Sequence, residues 1–485
     1  MILNKIKKIN SFESMHFYDD ELKIFSNSFN LIIEDKFEKH IVEMPLSKLK
    51  KILSKFRILR RLFRIDQFTV KLIDKKNKDM IIIYNGSVYH YNGIEKKISK
   101  TMSLRQSNQL LKDSICITPD KWIYFGEYGA NKKNKPVPIY RSKDLGKSWE
   151  TIFQIPSGVC RHIHGCYWDK FEEKIWVLTG DFENQNHIIK TDRDFKELKW
   201  YGDGSQKWRA CNLFFTKDKI HWITDTEFQL NFHYSMCRNS EELKKLEEFP
   251  GPVWYIKQLT GPKYLAGITC ENGIGSNDKY GFLYYTNDLK NWTEIERFKK
   301  DFLPKKLFKN GIISFSDGEQ SIHNFTISGQ GFNRFDGTSI ICEITTPLDH
   351  MINAISLPSF KKVKNYSIPV GKKLFKELCF NDFFLLFNKE FKDYNDAEII
   401  TSETILRFCE INHKNFLISL KKFDLNHNLV DLIISLFIKN YVQSNDLRFL
   451  NISLKLIDKI PSKFYFKHNN KLEFKRILKD LVGSI

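Results

Sequence analysis

The chain has 485 residues, of which 42% are hydrophobic and 28% are charged, and its formal net charge is +19. The length exceeds that of a single small domain, and the composition excludes an intrinsically disordered chain. This charge favours an anionic partner such as nucleic acid, an anionic membrane surface or an acidic glycan. Lysine is spread along the whole chain rather than grouped, so nucleic acid is not expected to be the partner.

The cysteines and the apolar runs indicate a compartment. The nine cysteines are scattered and include no Cys-x-x-Cys pair, which is typical of a reducing environment. The first residues carry no apolar run of signal-peptide length. The apolar run at residues 430–438 contains Asp431 and is too short to cross a bilayer. These features predict a cytoplasmic protein that needs no membrane span.

Residues 1–66 are interpreted as N-terminal strands followed by a basic amphipathic helix. The helical stretch is SKLKKILSKFRILRRLFRI, residues 47–65, with eight basic residues and no acidic one. Its apolar residues recur at helical spacing. They are Leu49, Ile52, Leu53, Phe56, Leu59 and Phe63. Such a helix packs on its own protein, the more common arrangement, or lies peripherally on an anionic membrane surface.

Residues 67–370 contain a repeated pattern. Four segments echo each other: IYFGEYG from Ile123, IWVLTGD from Ile175, IHWITDTE from Ile220 and YLAGITCENG from Tyr264. Their starts are 52, 45 and 44 residues apart. Each segment lies between other short apolar runs that are separated by polar turns, which is typical of successive antiparallel strands. Four short strands at a period in the forties predict the blade of a β-propeller. With less regular copies on either side, about six blades are expected. The strands within residues 1–66 are interpreted as part of the propeller, where they complete one of these blades.

The pattern changes after residue 370. In NLVDLIISLFIKNYV, residues 428–442, apolar residues recur at helical rather than strand spacing. Residues 371–485 are therefore predicted to form a separate α-helical region. The predicted fold class is mainly β, with a C-terminal helical region.

The stretch SKDLGKSW, residues 142–149, is interpreted as a turn between the third and fourth strands of a blade. Gly146 suits a positive φ, Asp144 suits an acceptor of hydrogen bonds from the turn's amides, and Trp149 suits packing on the sheet. The pattern Ser-x-Asp-x-Gly-x-x-Trp resembles the Asp box, or BNR repeat, of the sialidase superfamily. A degenerate copy, TNDLKNW, begins at Thr286. The resemblance implies a sialidase-like β-propeller in which such boxes are structural turns.

The same resemblance implies a glycoside hydrolase acting on an acidic sugar. The Phe-Arg-Ile-Pro signature of sialidases is absent, however, and the nearest string, from Phe63, has Asp66 in place of proline. The catalytic roles of sialidases are therefore not transferred to this chain. The chain is also similar to bacterial propellers that are associated with surface polysaccharide genes.

Blade geometry predicts where a site would lie. Because successive strands of a blade are antiparallel, the start of the first strand and the end of the second lie on one face of the propeller. Arginines, histidines, carboxylates and aromatic residues occupy these positions. The candidate catalytic residues are Glu127, Asp181, Glu271, Tyr128, His162 and His164. The candidate substrate-binding residues are Arg105, Arg161, Arg209, Asp225, Trp208 and Tyr255.

Several functions fit these residues. In a glycoside hydrolase, the carboxylates would be acids or bases, arginines would bind a sugar carboxylate, and a tyrosine would be the nucleophile. In a polysaccharide lyase, a histidine or tyrosine would remove the proton next to a uronate carboxylate. In a non-catalytic glycan-binding or scaffold module, Arg161 with Asp181 and Arg209 with Asp225 would be structural ion pairs.

His162 and His164 are two residues apart on a strand and therefore point to one face. With Asp181 they could ligate a metal. Hydrogen-bonded channel histidines are the more common arrangement, so no metal and no cofactor are predicted.

Overall fold

Seven four-stranded sheets form the blades of a β-propeller in a computed structural model, which describes residues 2–9 and 13–345. Within each of blades 1 to 6, the four strands pair antiparallel and in chain order. In blade 7, three strands from the end of the described chain are completed by the N-terminal strand β1 (Ile2–Ile9). The ring is therefore closed by the two ends of the propeller sequence.

The strands of blades 1 to 3 are β2 (Ser14–Tyr18), β3 (Leu22–Asn27), β4 (Asn30–Asp35), β5 (Lys39–Glu43), β6 (Phe68–Asp74), β7 (Asp79–Tyr84), β8 (Ser87–Asn92), β9 (Lys97–Ser103), β10 (Cys116–Ile117), β11 (Ile123–Gly126), β12 (Val137–Ser142) and β13 (Glu150–Ile155). Those of blades 4 and 5 are β14 (His162–Asp169), β15 (Lys174–Gly180), β16 (Asn186–Thr191), β17 (Leu198–Gly204), β18 (Phe214–Phe215), β19 (Lys219–Ile223), β20 (Asn231–Cys237) and β21 (Leu243–Phe249). Those of blades 6 and 7 are β22 (Val253–Leu259), β23 (Lys263–Ile268), β24 (Tyr280–Thr286), β25 (Thr293–Lys299), β26 (Ile312–Phe315), β27 (Phe325–Gln330) and β28 (Thr338–Thr345).

The number of blades is seven, and the expectation of about six is wrong. The missed blade is blade 1, which residues 14–43 form by themselves, although the sequence pattern was interpreted as strands that complete another blade. Residues 346–485 contain the predicted helical region and the end of the predicted propeller domain at residue 370, and both lie outside the described residues.

Short helices connect some blades. The helices are α1 (Lys48–Leu53) and α2 (Arg57–Leu62) between blades 1 and 2, and α3 (Lys305–Phe308) between blades 6 and 7. A single 3-10 turn, Gln206–Trp208, precedes blade 5. Within the part of the chain that the structure describes, no helix combines the length and apolar character needed to cross a membrane.

The segment 47–65 forms two helices instead of the single helix predicted, and three of its four arginines form ion pairs with carboxylates of the protein. Arg57 contacts three carboxylates: Asp336 through two hydrogen bonds of 2.9 and 3.0 Å, Glu13 at 3.1 Å, and Asp66. Arg61 is 3% exposed and bound to a carboxylate of the loop before α3. These ion pairs are made inside the protein, so they orient both helices.

The apolar stripe of this segment faces solvent. Leu49, Ile52 and Phe56 are 66%, 58% and 62% exposed. If the segment packed on the protein through its apolar stripe, these side chains would be buried. They are exposed instead. Two of the carboxylates that the arginines contact, Asp301 and Asp336, belong to distant parts of the sequence, so the pattern of residues 47–65 alone does not show which side is buried. Contact of this segment with an anionic membrane stays a prediction.

The hydrophobic core lies between blades, because each sheet packs its faces on its two neighbours. Between blades 4 and 5, Trp176 and Trp222 are fully buried in one cluster with Leu178 and Ile220. Between blades 3 and 4, Ile163 packs so closely on β11 that a Cβ at Gly126 would lie 2.4 Å from its side chain. Glycine at the end of this strand therefore allows the two blades to approach.

The stretch 142–149 is a turn between β12 and β13, as interpreted from the sequence. Asp144 accepts hydrogen bonds from the amide and the hydroxyl of Ser148, at 2.9 and 2.6 Å. Gly146 has a φ of +84°, and a Cβ there would lie 2.0 Å from Ile81. Trp149 donates a hydrogen bond to Thr101 of the preceding blade at 3.1 Å. The residues of this motif shape the turn and attach it to blade 2.

Replacing Asp144 with alanine should lower the free energy of unfolding by roughly 1–2 kcal/mol, because the turn loses the acceptor of three hydrogen bonds, from the hydroxyl of Ser142 and from the amide and hydroxyl of Ser148. Denaturant unfolding followed by tryptophan fluorescence measures this loss, since all nine tryptophans lie between residues 122 and 292. The control is Glu95→Ala, which removes an exposed carboxylate from another turn. A stability equal to that of the control would contradict the structural role.

Candidate functional site

A cavity of about 630 Å³ opens where the first strands of the blades begin. Five blades contribute the start of their first strand to its wall. These residues are Ser14, Phe68, His162, Trp254 and Ile312. The convergence of strand starts on one face is the arrangement predicted from strand direction. The cavity therefore lies at the centre of this face.

The wall of the cavity carries an excess of positive charge. Its acidic residues, Glu13, Asp66 and Asp181, are all in ion pairs with arginine. Its remaining cations are Arg64, Lys112, Lys305 and Lys309. Within residues 2–9 and 13–345, none of these four forms an ion pair. An anion that enters the cavity would find cations that no carboxylate already neutralises.

Two of these lysines have pKa values close to neutral pH. Burial lowers the pKa of Lys112 to about 7 and that of Lys309 to about 7, the latter with help from Arg64. The amine of Lys112 lies between the hydroxyls of Ser14 and Ser314, at 3.0 Å from the second. Both lysines can therefore gain or lose a proton in the physiological range.

Two histidines and one carboxylate meet at the wall. His162 begins β14 and pairs with Gly180, the last residue of β15, so Asp181 follows directly beside it. The Nε2 atoms of His162 and His164 lie 3.1 Å apart, and each is 3.0–3.1 Å from Asp181 Oδ1. The Asp181 Oδ2 atom accepts a hydrogen bond from Arg161 at 3.0 Å. His162, Asp181 and Arg161 line the cavity, and His164 is behind them.

The other nitrogen of each ring has its own partner. His162 Nδ1 lies 2.8 Å from the carbonyl oxygen of Gly129, and His164 Nδ1 lies 2.7 Å from that of Ala210. Tyr128 covers the cavity side, with its ring centre 4.2 Å from that of His162. The two rings are thus fixed in orientation by backbone carbonyls.

A second group of charges lies behind the first. Arg209 donates to Glu227 at 2.7 Å and lies 3.6 Å from both Asp225 and Asp181. Cys211 donates to Asp225 at 2.9 Å. Asp225 and Arg209 are 4% and 6% exposed, so this group is a buried network. The expected pairs of Arg161 with Asp181 and of Arg209 with Asp225 are both present.

Glu271 interacts electrostatically with the charged residues of this second group. Burial raises its pKa to about 8, and the nearby carboxylates of Asp225 and Glu227 raise it further than Arg209 lowers it. Its Oε1 accepts a hydrogen bond from Thr269 at 2.7 Å. Burial and the neighbouring carboxylates thus favour the protonated form of the Glu271 carboxyl group.

The remaining candidates lie apart from the cavity, except for Tyr255. Glu127 accepts hydrogen bonds from the amides of Arg105 and Gln106, at 2.8 and 2.9 Å, and from a tyrosine hydroxyl. These bonds shape a loop, and the Arg105 side chain is exposed. Trp208 stacks on Trp222 between blades. Tyr255 lines the cavity and accepts a hydrogen bond from an amide of the wall at 3.3 Å.

The sequence analysis did not single out Lys112, Lys309 or Cys211. In a chain with 77 lysines and arginines, an isolated lysine carries no signal. Cys211 follows Arg209 by two residues in WRACN, and only this proximity to a candidate residue could have suggested it. The contacts of Lys112 with Ser14 and Ser314 come from other blades.

No family model matches the chain, and no curated protein is significantly similar to it in sequence. Membership of the sialidase superfamily is therefore not confirmed. Among solved structures, the chain is similar to an extracellular domain described as part of a hybrid two-component system from B. thetaiotaomicron, with 12% identity and a TM-score of 0.44. That match covers 71% of this chain and 40% of the other, so the chain spans less than half of that protein's length.

Two further solved structures are also similar to this chain. A structure titled as oligogalacturonate lyase in complex with manganese is 9% identical, with a TM-score of 0.44, and the match covers 70% of this chain and 93% of that one. A chain of the mitotic checkpoint complex is 7% identical, with a TM-score of 0.43 and coverage of 70% and 94%. These proteins have unrelated titles, and the likenesses concern the fold alone.

The buried network makes a prediction about pH. Replacing Arg209 with glutamine removes the cation shared by Asp225, Glu227 and Asp181, and these carboxylates then gain stability only by taking up protons. The loss of this cation raises the pKa values of the buried Asp225 and Asp181 in the folded state, so the added stability of protonation is present at low pH and lost as the pH rises. Thermal unfolding should show a loss of about 3–5 kcal/mol at pH 8 and a smaller one at pH 5.

The matched control for this variant is Lys207→Gln, because Lys207 forms an exposed ion pair two residues away. Its unfolding should differ little from that of the unmodified protein at either pH. An equal loss at pH 5 and pH 8 in Arg209→Gln would contradict the role of Arg209 in balancing buried carboxylates.

Proposed function

We propose that the protein binds an acidic polysaccharide or a precursor of one in the cavity and cleaves it by β-elimination next to a sugar carboxylate. The observation that carries this proposal is the set of cations in the cavity wall that form no ion pair within the described residues, Arg64, Lys112, Lys305 and Lys309. The three lysines are half-buried, and half-buried cations without a carboxylate partner favour an anionic ligand.

The shape and the other wall residues favour a sugar polymer among anions. The volume of about 630 Å³ is within the range of small-molecule sites. Tyr128, Trp254 and Tyr255 supply aromatic surface for sugar rings. The cations come from separate connections, with Lys112 before blade 3 and Lys305 between blades 6 and 7. A ligand with several spaced carboxylates would engage more of them than a compact anion.

The protonation states and ion pairs of the side chains in the cavity wall favour cleavage of the sugar polymer by elimination over cleavage by hydrolysis. Burial raises the pKa values of Tyr128 and Tyr255, which disfavours a phenolate nucleophile. The wall carboxylates are occupied by arginines, which leaves no free acid and base pair on the described wall. Glycoside hydrolysis by two carboxylates, as the sialidase resemblance implies, thus draws less support from the site.

Elimination needs a base and a cation, and the cavity supplies both. Neutral Lys112 would take the proton from the carbon next to the sugar carboxylate, and Arg161 or Lys309 would hold that carboxylate. The electrons of the broken C–H bond form a carbon–carbon double bond as the neighbouring C–O bond breaks. The released oxygen takes a proton from water. A lysine with a pKa near 7 is suited to this role.

Ligand binding should depend on charge in the cavity. An oligogalacturonate is expected to bind, and a neutral galactan of the same length is not. Lys309→Gln should weaken binding of the acidic oligosaccharide by about tenfold or more, because a charge-assisted hydrogen bond is lost. Isothermal titration at two salt concentrations measures this. The control is Lys290→Gln, an exposed lysine of the turn between β24 and β25. Equal binding of the neutral polymer would contradict the proposal.

The reaction should depend on pH and on Lys112. Since the base must be neutral, the turnover rate should rise with pH through about 7, the pKa of Lys112, or above it once an anion is bound. Lys112→Arg keeps the charge and should lose turnover while retaining binding. An unsaturated product that absorbs ultraviolet light marks elimination. New reducing ends without that absorption would mark hydrolysis, and tight binding with neither product would mark a non-catalytic binding module.

A further inference from the structure

We propose that His162, His164 and Asp181 bind one divalent transition-metal ion at the wall of the cavity, each through one atom. This inference is independent of the substrate class and of the reaction proposed above. It rests on the spacing of three ligand atoms, on the hydrogen bonds that fix the two rings, and on the position of the group beside open space.

The three ligand atoms form a nearly equilateral triangle. Its sides are 3.1 Å between the two Nε2 atoms, 3.1 Å from His162 Nε2 to Asp181 Oδ1, and 3.0 Å from His164 Nε2 to the same oxygen. Ligands bound to one ion at about 2.0–2.2 Å in a tetrahedral or octahedral site are separated by about 3.0–3.5 Å. The side chains therefore need little movement to bind an ion.

The hydrogen bonds of the rings leave lone pairs inside this triangle. The carbonyl oxygens of Gly129 and Ala210 can only accept, so the Nδ1 atoms that lie 2.8 and 2.7 Å from them carry the protons. In neutral rings the Nε2 atoms are then unprotonated, and they face a carboxylate oxygen that also only accepts. Three converging acceptors repel each other unless a cation lies between them. Metal-bound histidines usually donate their other N–H to such an acceptor.

The surroundings also fix the carboxylate. Arg161 donates to Asp181 Oδ2 at 3.0 Å, and Gln206 donates to the Asp181 carbonyl at 3.0 Å. Arg209 lies 3.6 Å from Oδ1, beyond hydrogen-bond distance. The oxygen that faces the two histidines is thus left without a hydrogen-bond donor other than their rings among the described residues. These contacts orient Asp181 for a ligand at Oδ1.

A second group, His164 with Cys211 and Asp225, also places three ligand atoms close together. It would require the Nδ1 atom of His164, which already donates to the Ala210 carbonyl. Cys211 is fully buried and its hydrogen is donated to Asp225. The first group needs no such bond to be broken, and it is the one next to the cavity.

The ligand set indicates the class of metal. Two imidazoles and one carboxylate suit Zn²⁺, Mn²⁺, Fe²⁺ or Co²⁺, whereas Mg²⁺ and Ca²⁺ prefer oxygen ligands alone. Three protein ligands leave at least one coordination position free. Because His162 and Asp181 line the cavity, that position would face its interior, where an anionic group could bind.

The experiment uses the full chain, treated with a chelator and then titrated with Zn²⁺, Mn²⁺, Mg²⁺ or Ca²⁺ separately. We expect one equivalent of Zn²⁺ or Mn²⁺ to bind at this site, to raise the unfolding temperature, and to bind at least about tenfold more tightly than Mg²⁺ or Ca²⁺. Co²⁺ in the same position should give a visible absorption spectrum of nitrogen and oxygen ligation.

The near-isosteric Asp181→Asn and the smaller His162→Ala should each lose this equivalent. The control is His221→Gln, from the buried pair of His221 and His233, whose nitrogens lie 3.1 Å apart without a shared carboxylate in the described chain. This variant should keep the site, and so should Lys309→Gln, which tests glycan binding separately. Equal Zn²⁺ binding by Asp181→Asn and the unmodified chain, or an unfolding temperature that responds to pH but not to metal or chelator, would overturn the proposal.

Discussion

The guanidinium of Arg57 is the contact on which the described architecture and its cavity depend. It is bound by carboxylates of Glu13, Asp66 and Asp336, which lie before blade 1, before blade 2 and in the turn between β27 and β28. One half-buried cation thus joins both sides of the point where the ring closes. The pairing also neutralises two of the three carboxylates that line the cavity, which leaves the lysines to determine its charge.

The cavity combines two electrostatic features of opposite sign. Lys112 and Lys309 are cations that burial disfavours, and the site of His162, His164 and Asp181 gathers acceptors that repel one another. An anion relieves the first feature, and a cation relieves the second. Both groups of residues lie in one wall because the first strands of all blades begin at the same face. Residues from different blades therefore meet in this cavity.

The turn motif and the candidate site illustrate different constraints. Ser142, Asp144 and Gly146 meet the needs of a tight connection, namely a positive φ and acceptors for free amides, and these needs are local. The residues of the cavity wall would meet the needs of the proposed ligand, and such needs differ from one propeller to another. A turn motif therefore predicts a fold far better than it predicts a reaction.

The sequence by itself determined the features that arise within one blade. The period of the repeats predicted the propeller, and strand direction placed His162 beside Asp181, since a hairpin of about twenty residues brings them together. Only the tertiary structure decided the rest. The last blade is completed by β1, which pairs with β28 more than 320 residues further along the chain. Arg57 faces inward because Asp336 lies 279 residues further on, and Lys112 is held by a hydroxyl 202 residues away. A local pattern records the spacing of residues along one strand or helix, and it carries no information on which distant charge will be buried against them.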